Sequence, residues 1–198
     1  MGGPALVGEF GFYGKLPALG DFVSRSLPRE QIAMVDEWMQ EGLFALRSVS
    51  ENWMESYLVS PVWQFALPAG LWSPAPLCGL LMPSVDRVGR YFPFFTCAPL
   101  AAAANGDAGT LWRRLSRIAV DLPRVLHEQL DAEASLQLLQ DAAINTAEDW
   151  RGILSLADFN PTGSRSIWWS ERTHYMPLRE YQHRGRPDTD LFLRLFGH

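Results

Sequence analysis

A chain of 198 residues that is 47% hydrophobic and 20% charged has the composition of one folded domain spanning 1–198, with enough apolar material for a full core. Its formal net charge of −5 argues against a general nucleic-acid or anionic-membrane binder, which displays a basic stripe. The N-terminal MGGPALVGEF lacks the basic region of a secretory leader, Leu6 stands where an N-myristoylation motif has Ser or Thr, and no apolar run reaches the ~18 residues of a membrane span, so the expected location is the cytoplasm, without direct membrane insertion.

In chain order, the apolar, aromatic and glycine-bounded run 7–13 predicts a first strand. Residues 14–27 read as a loop. A helix is expected from Pro28, with Ser26 as its cap and Glu30 in its first turn. Ile32, Val35, Met39, Leu43 and Leu46 then recur at helical spacing. A short second helix over about 51–58 stops before Pro61. Strands are predicted at 62–67 and 77–82, the latter a continuous apolar run of the kind buried on both faces. The Pro/Gly-rich segment 68–76 joins them. After the loop PSVDRVGR comes 91–100, where Pro93 demotes the start of the strand to an edge or bulge. A small-residue linker at 101–109 leads into a helical region of about 110–130 that Pro123 should kink, and further helix is expected over 134–143. SRSIWWS (164–170) reads as a strand with HYMPLREYQ as its partner, and a C-terminal helix is capped by Asp188 or Thr189. Strands mixed with helices in no strict alternation predict an α/β fold: a mixed central sheet with helices on both faces. Cys78 and Cys97 each lie in an apolar strand and are expected to be buried, reduced thiols; a hairpin of 77–82 with 91–98 would place them nearly opposite one another.

No phosphate-binding glycine motif opens a helix, the four histidines show no metal-ligand spacing, and no nucleophile elbow is present. A Ser84, His127 and Asp86 trio can be named, but such a trio can be named in almost any protein. No catalytic residue, metal or cofactor is therefore assigned. Two loops dense in charge and punctuated by Gly and Pro remain, GKLPALGDFVSRSLP (14–28) and LMPSVDRVGRYFPF (81–94). Loops held by a rigid scaffold are where function concentrates. In the second, Asp86, Arg87 and Arg90 fall within five residues and Gly89 permits a positive φ. Either an Asp86–Arg clamp fixes a long hairpin loop, or the arginines form a docking or anion site. In the first, Lys15, Asp21 and Arg25 flank Pro17 and Gly20. Each loop leaves a strand of the same expected sheet, so the two are expected to meet. Lys15, Asp21, Arg25, Ser84, Arg87 and Arg90 are the candidate interaction residues. Gly20, Asp86 and Gly89 are the structural ones.

Lys15-Leu16-Pro17 followed by Gly20-Asp21-Phe22 resembles the GKLPxxGDF opening of the TagF family. Trp38 with Gly42-Leu43, and Pro61-Val62-Trp63 with Phe65, resemble the segments that follow it. Met82 through Gly89-Arg90, continuing into Tyr91-Phe92-Pro93, resembles the family's most distinctive motif. The likeness is strong over about 8–100. Beyond that it holds in outline, with Trp168-Trp169 as landmark. It implies one TagF-like domain with a three-layer α/β sandwich fold. It also implies a non-enzymatic cytoplasmic accessory protein of the type VI secretion system, one that represses secretion post-translationally by restraining the system's forkhead-associated-domain scaffold protein. The family offers no catalytic set to carry over. The competing expectation from the residues alone is a small enzyme or phospho-ligand sensor using the Ser84–Arg90 loop.

Overall fold

The computed structural model describes residues 10–101, 108–142, 154–172 and 176–197. Seven strands form one sheet: β1 (Gly11–Lys15), β2 (Phe22–Arg25), β3 (Trp63–Leu67), β4 (Leu77–Met82), β5 (Phe94–Pro99), β6 (Arg165–Ser170) and β7 (Arg179–Arg184). The order across it is β2-β1-β5-β4-β3-β6-β7, and every neighbouring pair is antiparallel. The sheet is thus antiparallel throughout and not the mixed sheet that the sequence predicts. The apolar runs of β3, β4 and β5 look like parallel-sheet strands because helices cover both faces, and double burial removes the apolar–polar alternation that marks an antiparallel strand.

Helices α1 (Arg29–Val49), α2 (Trp53–Leu58) and α7 (Thr189–Phe196) lie on one face. Their core includes Trp38, Leu43, Tyr57 and Phe192 with Trp63, Phe65, Phe95 and Trp168 from the sheet. Helices α3 (Ala108–Asp121), α4 (Arg124–His127), α5 (Ala132–Ala142) and α6 (Leu154–Ala157) lie on the other, where Leu115, Ile118 and Leu139 meet Phe12, Leu80, Phe94 and Trp169. Adjacent strand residues alternate between these cores, as the period of two requires. The result is a three-layer α/β sandwich.

Several local signals read as expected. The 110–130 helix breaks at Leu122–Pro123, and Asp188 caps α7 by accepting a hydrogen bond from the Leu191 N–H at 3.0 Å. Others differ. Residues 7–9 of the first expected strand and most of the 101–109 linker lie outside the described residues, and β1 runs later, to Lys15. β2 falls inside what reads as a loop. Pro28 itself is the N-cap of α1, while Ser26 has φ 57°. β5 begins just after Pro93 and lies inside the sheet, not at its edge.

The cysteines do form part of a β4–β5 hairpin, but Cys78 pairs with Ala98 and Cys97 with Gly79. That one-residue offset sends the two side chains into opposite cores, and both are free thiols. Burial pushes the Cys78 thiol up to about 12 and raises Cys97 as well. A water-soluble disulfide reagent at pH 8 should therefore label neither cysteine until the chain is unfolded. Rapid labelling of the native protein would contradict this placement.

Candidate functional site

The two charged loops meet at one end of the sheet, beside the edge strand β2. Asp86 organises the contact. Its side chain is 0% exposed, and Lys15, at the end of β1, is 5% exposed. Asp86 Oδ2 accepts from Lys15 Nζ at 2.8 Å and from Arg90 Nε at 2.7 Å. Asp86 Oδ1 accepts from the backbone N–H of Val88 at 3.0 Å and of Arg90 at 2.9 Å. Four donors thus use both carboxylate oxygens, the form of satisfaction a buried charge needs. The short Asx turn follows from the sequence: an Asp two residues before Val88 reaches its N–H, and Gly89 supplies φ 87° where the chain reverses. The Asp86 N–H also donates to the Arg90 carbonyl at 3.1 Å.

The loops are stitched together in two further places. The Arg87 N–H donates to the Leu19 carbonyl at 2.9 Å, and Arg90 Nη2 donates to the Gly20 carbonyl. Behind them, buried Ser84 donates through Oγ to the Lys15 carbonyl at 2.6 Å. The Tyr57 hydroxyl accepts from the Ser84 N–H at 2.9 Å and donates to its carbonyl at 3.0 Å. Burial raises the Tyr57 pKa, so the phenol keeps its proton and this bridge persists at all physiological pH. Gly14, preceding Lys15, has φ 147° and packs its bare Cα against the Pro93 carbonyl. That close approach brings β1 against the start of β5 and aims Lys15 at Asp86.

Burial alone would raise the Asp86 pKa. The hydrogen bonds from Lys15, from the Arg90 N–H and guanidinium and from the Val88 N–H outweigh it and hold the carboxyl well below the usual carboxylate range. A depressed folded-state pKa means that the stability Asp86 contributes is complete above its unfolded value of about 3.9 and is lost as pH falls from there through the folded value. In denaturant titrations, the stability difference between wild type and Asp86→Asn should be constant from neutral pH down to about 5 and should shrink below about 4. A difference that does not vary between pH 7 and pH 3 would contradict the ionised clamp.

Of the remaining expected site residues, Arg87 is exposed at the loop tip, and its guanidinium makes no hydrogen bond or ion pair among the described residues. Asp21 is exposed and accepts from the Phe22 N–H at 2.8 Å. Arg25 does not join the group. Strand alternation puts Phe22 and Lys15 on one face of the β1–β2 pair and Val23 and Arg25 on the other, so Arg25 Nε reaches Glu133 Oε1 of α5 at 2.8 Å. Ser84 is sealed inside and committed to a carbonyl, and His127 is exposed on α4 in the opposite helical layer. Those positions do not make a nucleophile–base pair. Among the described residues no group of three metal-ligating side chains could hold a metal.

Sequence reasoning missed three contributors. Tyr57 lies 27 residues from Ser84, and no local signal announces the bridge. Phe22 is 44% exposed, with its ring stacked on Tyr13 at 5.7 Å and edge-on to Phe92 at 4.8 Å, while Lys15 Nζ sits 4.8 Å from its centroid. Val88 is 66% exposed. A phenylalanine directly after Gly20-Asp21 and a valine at the tip of an otherwise charged loop were the available hints.

A family model described as the TagF N-terminal domain, type VI secretion system-associated, matches residues 11–146. The structure is similar to the crystal structure of PA0076 from Pseudomonas aeruginosa PAO1, with a TM-score of 0.71 and 27% identity, covering 95% of this chain and 94% of that one. No curated protein matches the chain.

Proposed function

The chain belongs to the TagF family of type VI secretion-associated proteins, and from that membership we propose that it represses secretion post-translationally by binding the system's forkhead-associated-domain scaffold protein in the cytoplasm, as a stoichiometric partner and not as an enzyme. The observation that carries this reading is the Asp86 lock. A buried charge cluster spends its donors and acceptors on holding two loops still, and it leaves Arg87, Val88 and Phe22 on the outside. A carboxylate saturated by four donors has no free lone pair for proton transfer. A surface fixed in advance suits recognition, because less ordering remains to be done on binding. No helix among the described residues is long and apolar enough to cross a membrane, which fits a partner met in solution.

A binding repressor must be present in amounts comparable to its target, whereas an enzyme acts at trace levels. Secretion should therefore fall with the ratio of this protein to scaffold, and extra scaffold should restore it. Full repression at a few per cent of the scaffold level would overturn the stoichiometric reading. The purified protein should also show no phosphatase, nucleotidase or esterase turnover above background. An activity that disappears in Ser84→Ala or Arg90→Ala protein would overturn the non-enzymatic reading.

A further inference from the structure

The surface around Gly20 differs in charge from the chain as a whole. Arg87 and Arg90 flank Gly20: Arg90 Nη2 is bonded to its carbonyl, and a methyl group placed on its Cα would stand 3.5 Å from Arg87 Nη2. Lys15 and Asp86 cancel beneath this surface, both out of solvent. What faces outward is two guanidinium groups against the single carboxylate of Asp21, on a chain whose formal net charge is −5. Exposed Phe22 and Val88 border them. Phe22 is held by Tyr13, Phe92 and the Lys15 ammonium, so it protrudes as a fixed anchor and not as a mobile side chain. Arginine beside a rigid aromatic is the composition of an interface hot spot.

We infer that this surface docks a segment of the protein partner that presents an aspartate or glutamate beside apolar side chains, with the carboxylate on the Arg87 fork and the apolar groups over Phe22 and Val88. The inference rests on the reading that the protein works by binding. Charge complementarity selects the occupant. Arg90 has already given Nε to Asp86 and Nη2 to Gly20, so the Arg87 guanidinium is the fork left for a planar, bidentate acceptor. A phosphate dianion calls for more than one open cation, and the neighbouring Asp21 carboxylate repels a second negative charge more than a first. A monoanionic carboxylate fits what remains. The face is fixed before binding by the Asp86 lock, so contacts at Arg87 and Val88 translate into affinity without a loop-ordering cost.

The test is a calorimetric titration of purified scaffold protein into wild type, Arg87→Ala, Val88→Ser and a remote control, Arg124→Ala. Both Arg87 and Val88 side chains are exposed, so melting temperatures should stay at the wild-type value; if Arg87→Ala melts lower, Arg87→Gln replaces it. Arg87→Ala should weaken binding by about tenfold or more and flatten its salt dependence, Val88→Ser should weaken it several-fold, and Arg124→Ala should leave it unchanged. Scaffold stripped of phosphate by a phosphatase should bind wild type as before; loss of binding would make phosphate the recognised group and overturn the carboxylate assignment. Affinities of Arg87→Ala and Val88→Ser indistinguishable from wild type would overturn the surface while leaving scaffold binding intact. If wild type does not bind scaffold, the proposed function fails. The surface is then judged by repression in cells: loss of repression in both variants at normal protein level supports it, and retained repression overturns it. A wild-type protein that neither binds nor represses overturns both.

Discussion

Asp86→Ala is expected to lower stability by about 3 kcal/mol, which for a chain of this size is a fall in melting temperature of roughly 10 °C. The substitution removes the acceptor of four hydrogen bonds at once. Arg90 is 57% exposed and turns into water at little cost, but Lys15 is 5% exposed and is left as a buried ammonium without its counter-ion. Breaking one partner of a buried pair costs about 3–5 kcal/mol, and the escape of Arg90 sets the lower end. Replacing both members by apolar side chains, as in Lys15→Met with Asp86→Leu, should recover part of the loss by removing the stranded charge, although the Val88 and Arg90 N–H groups stay unpaired. An Asp86→Ala protein that melts within about 2 °C of wild type would mean that the clamp contributes nothing.

The second large effect is expected from Gly14→Ala. Gly14 combines φ 147°, a region closed to side-chain-bearing residues, with a Cα packed against the Pro93 carbonyl. Backbone strain of about 1–3 kcal/mol adds to overpacking of similar size. The Pro93 carbonyl and Phe94 Cα are backbone of the chain entering β5 and cannot rotate aside as a flexible side chain does, so β1 must move. Because Lys15 follows directly, that movement draws its ammonium off Asp86, and both loops lose their register. Gly14→Ala should thus lose at least about 3 kcal/mol and show faster amide exchange across 84–92. A variant of normal stability with unchanged exchange there would contradict the account of how β1 positions the site. Gly89→Ala is the informative contrast. Its φ is 87° but open space surrounds it, so only the conformational cost of about 1 kcal/mol applies.

The sequence made the β4–β5 hairpin legible because two apolar runs bracket a charged loop whose Asp, Gly and Arg spacing specifies an Asx turn. It also made the two layers of helix legible through their 3.6 periodicity and the break at Pro123. It hid β2, since four residues at a sheet edge with one exposed aromatic do not stand out from a loop. It hid the antiparallel pairing, because burial on both faces erases alternation. It hid the fate of Arg25, which is decided by the parity of its position relative to Lys15 across the β1–β2 register, a fact available only once β2 is known to exist. The same one-residue logic separates Cys78 from Cys97. The Asp86–Arg90 clamp could be anticipated within its own loop, but the Lys15 partner comes from 71 residues away and the Tyr57 bridge from 27. Both depend on sheet order and helix placement, which local pattern does not encode.

The proposed function is repression by direct binding through a surface built in advance. Its most direct test is to mix purified protein with purified scaffold and follow complex formation by calorimetry and size-exclusion chromatography at physiological salt. A saturable complex of fixed stoichiometry is expected. No heat and no co-elution at about 50 μM, a concentration that would reveal even a weak complex, from a protein that still represses secretion in cells would contradict it.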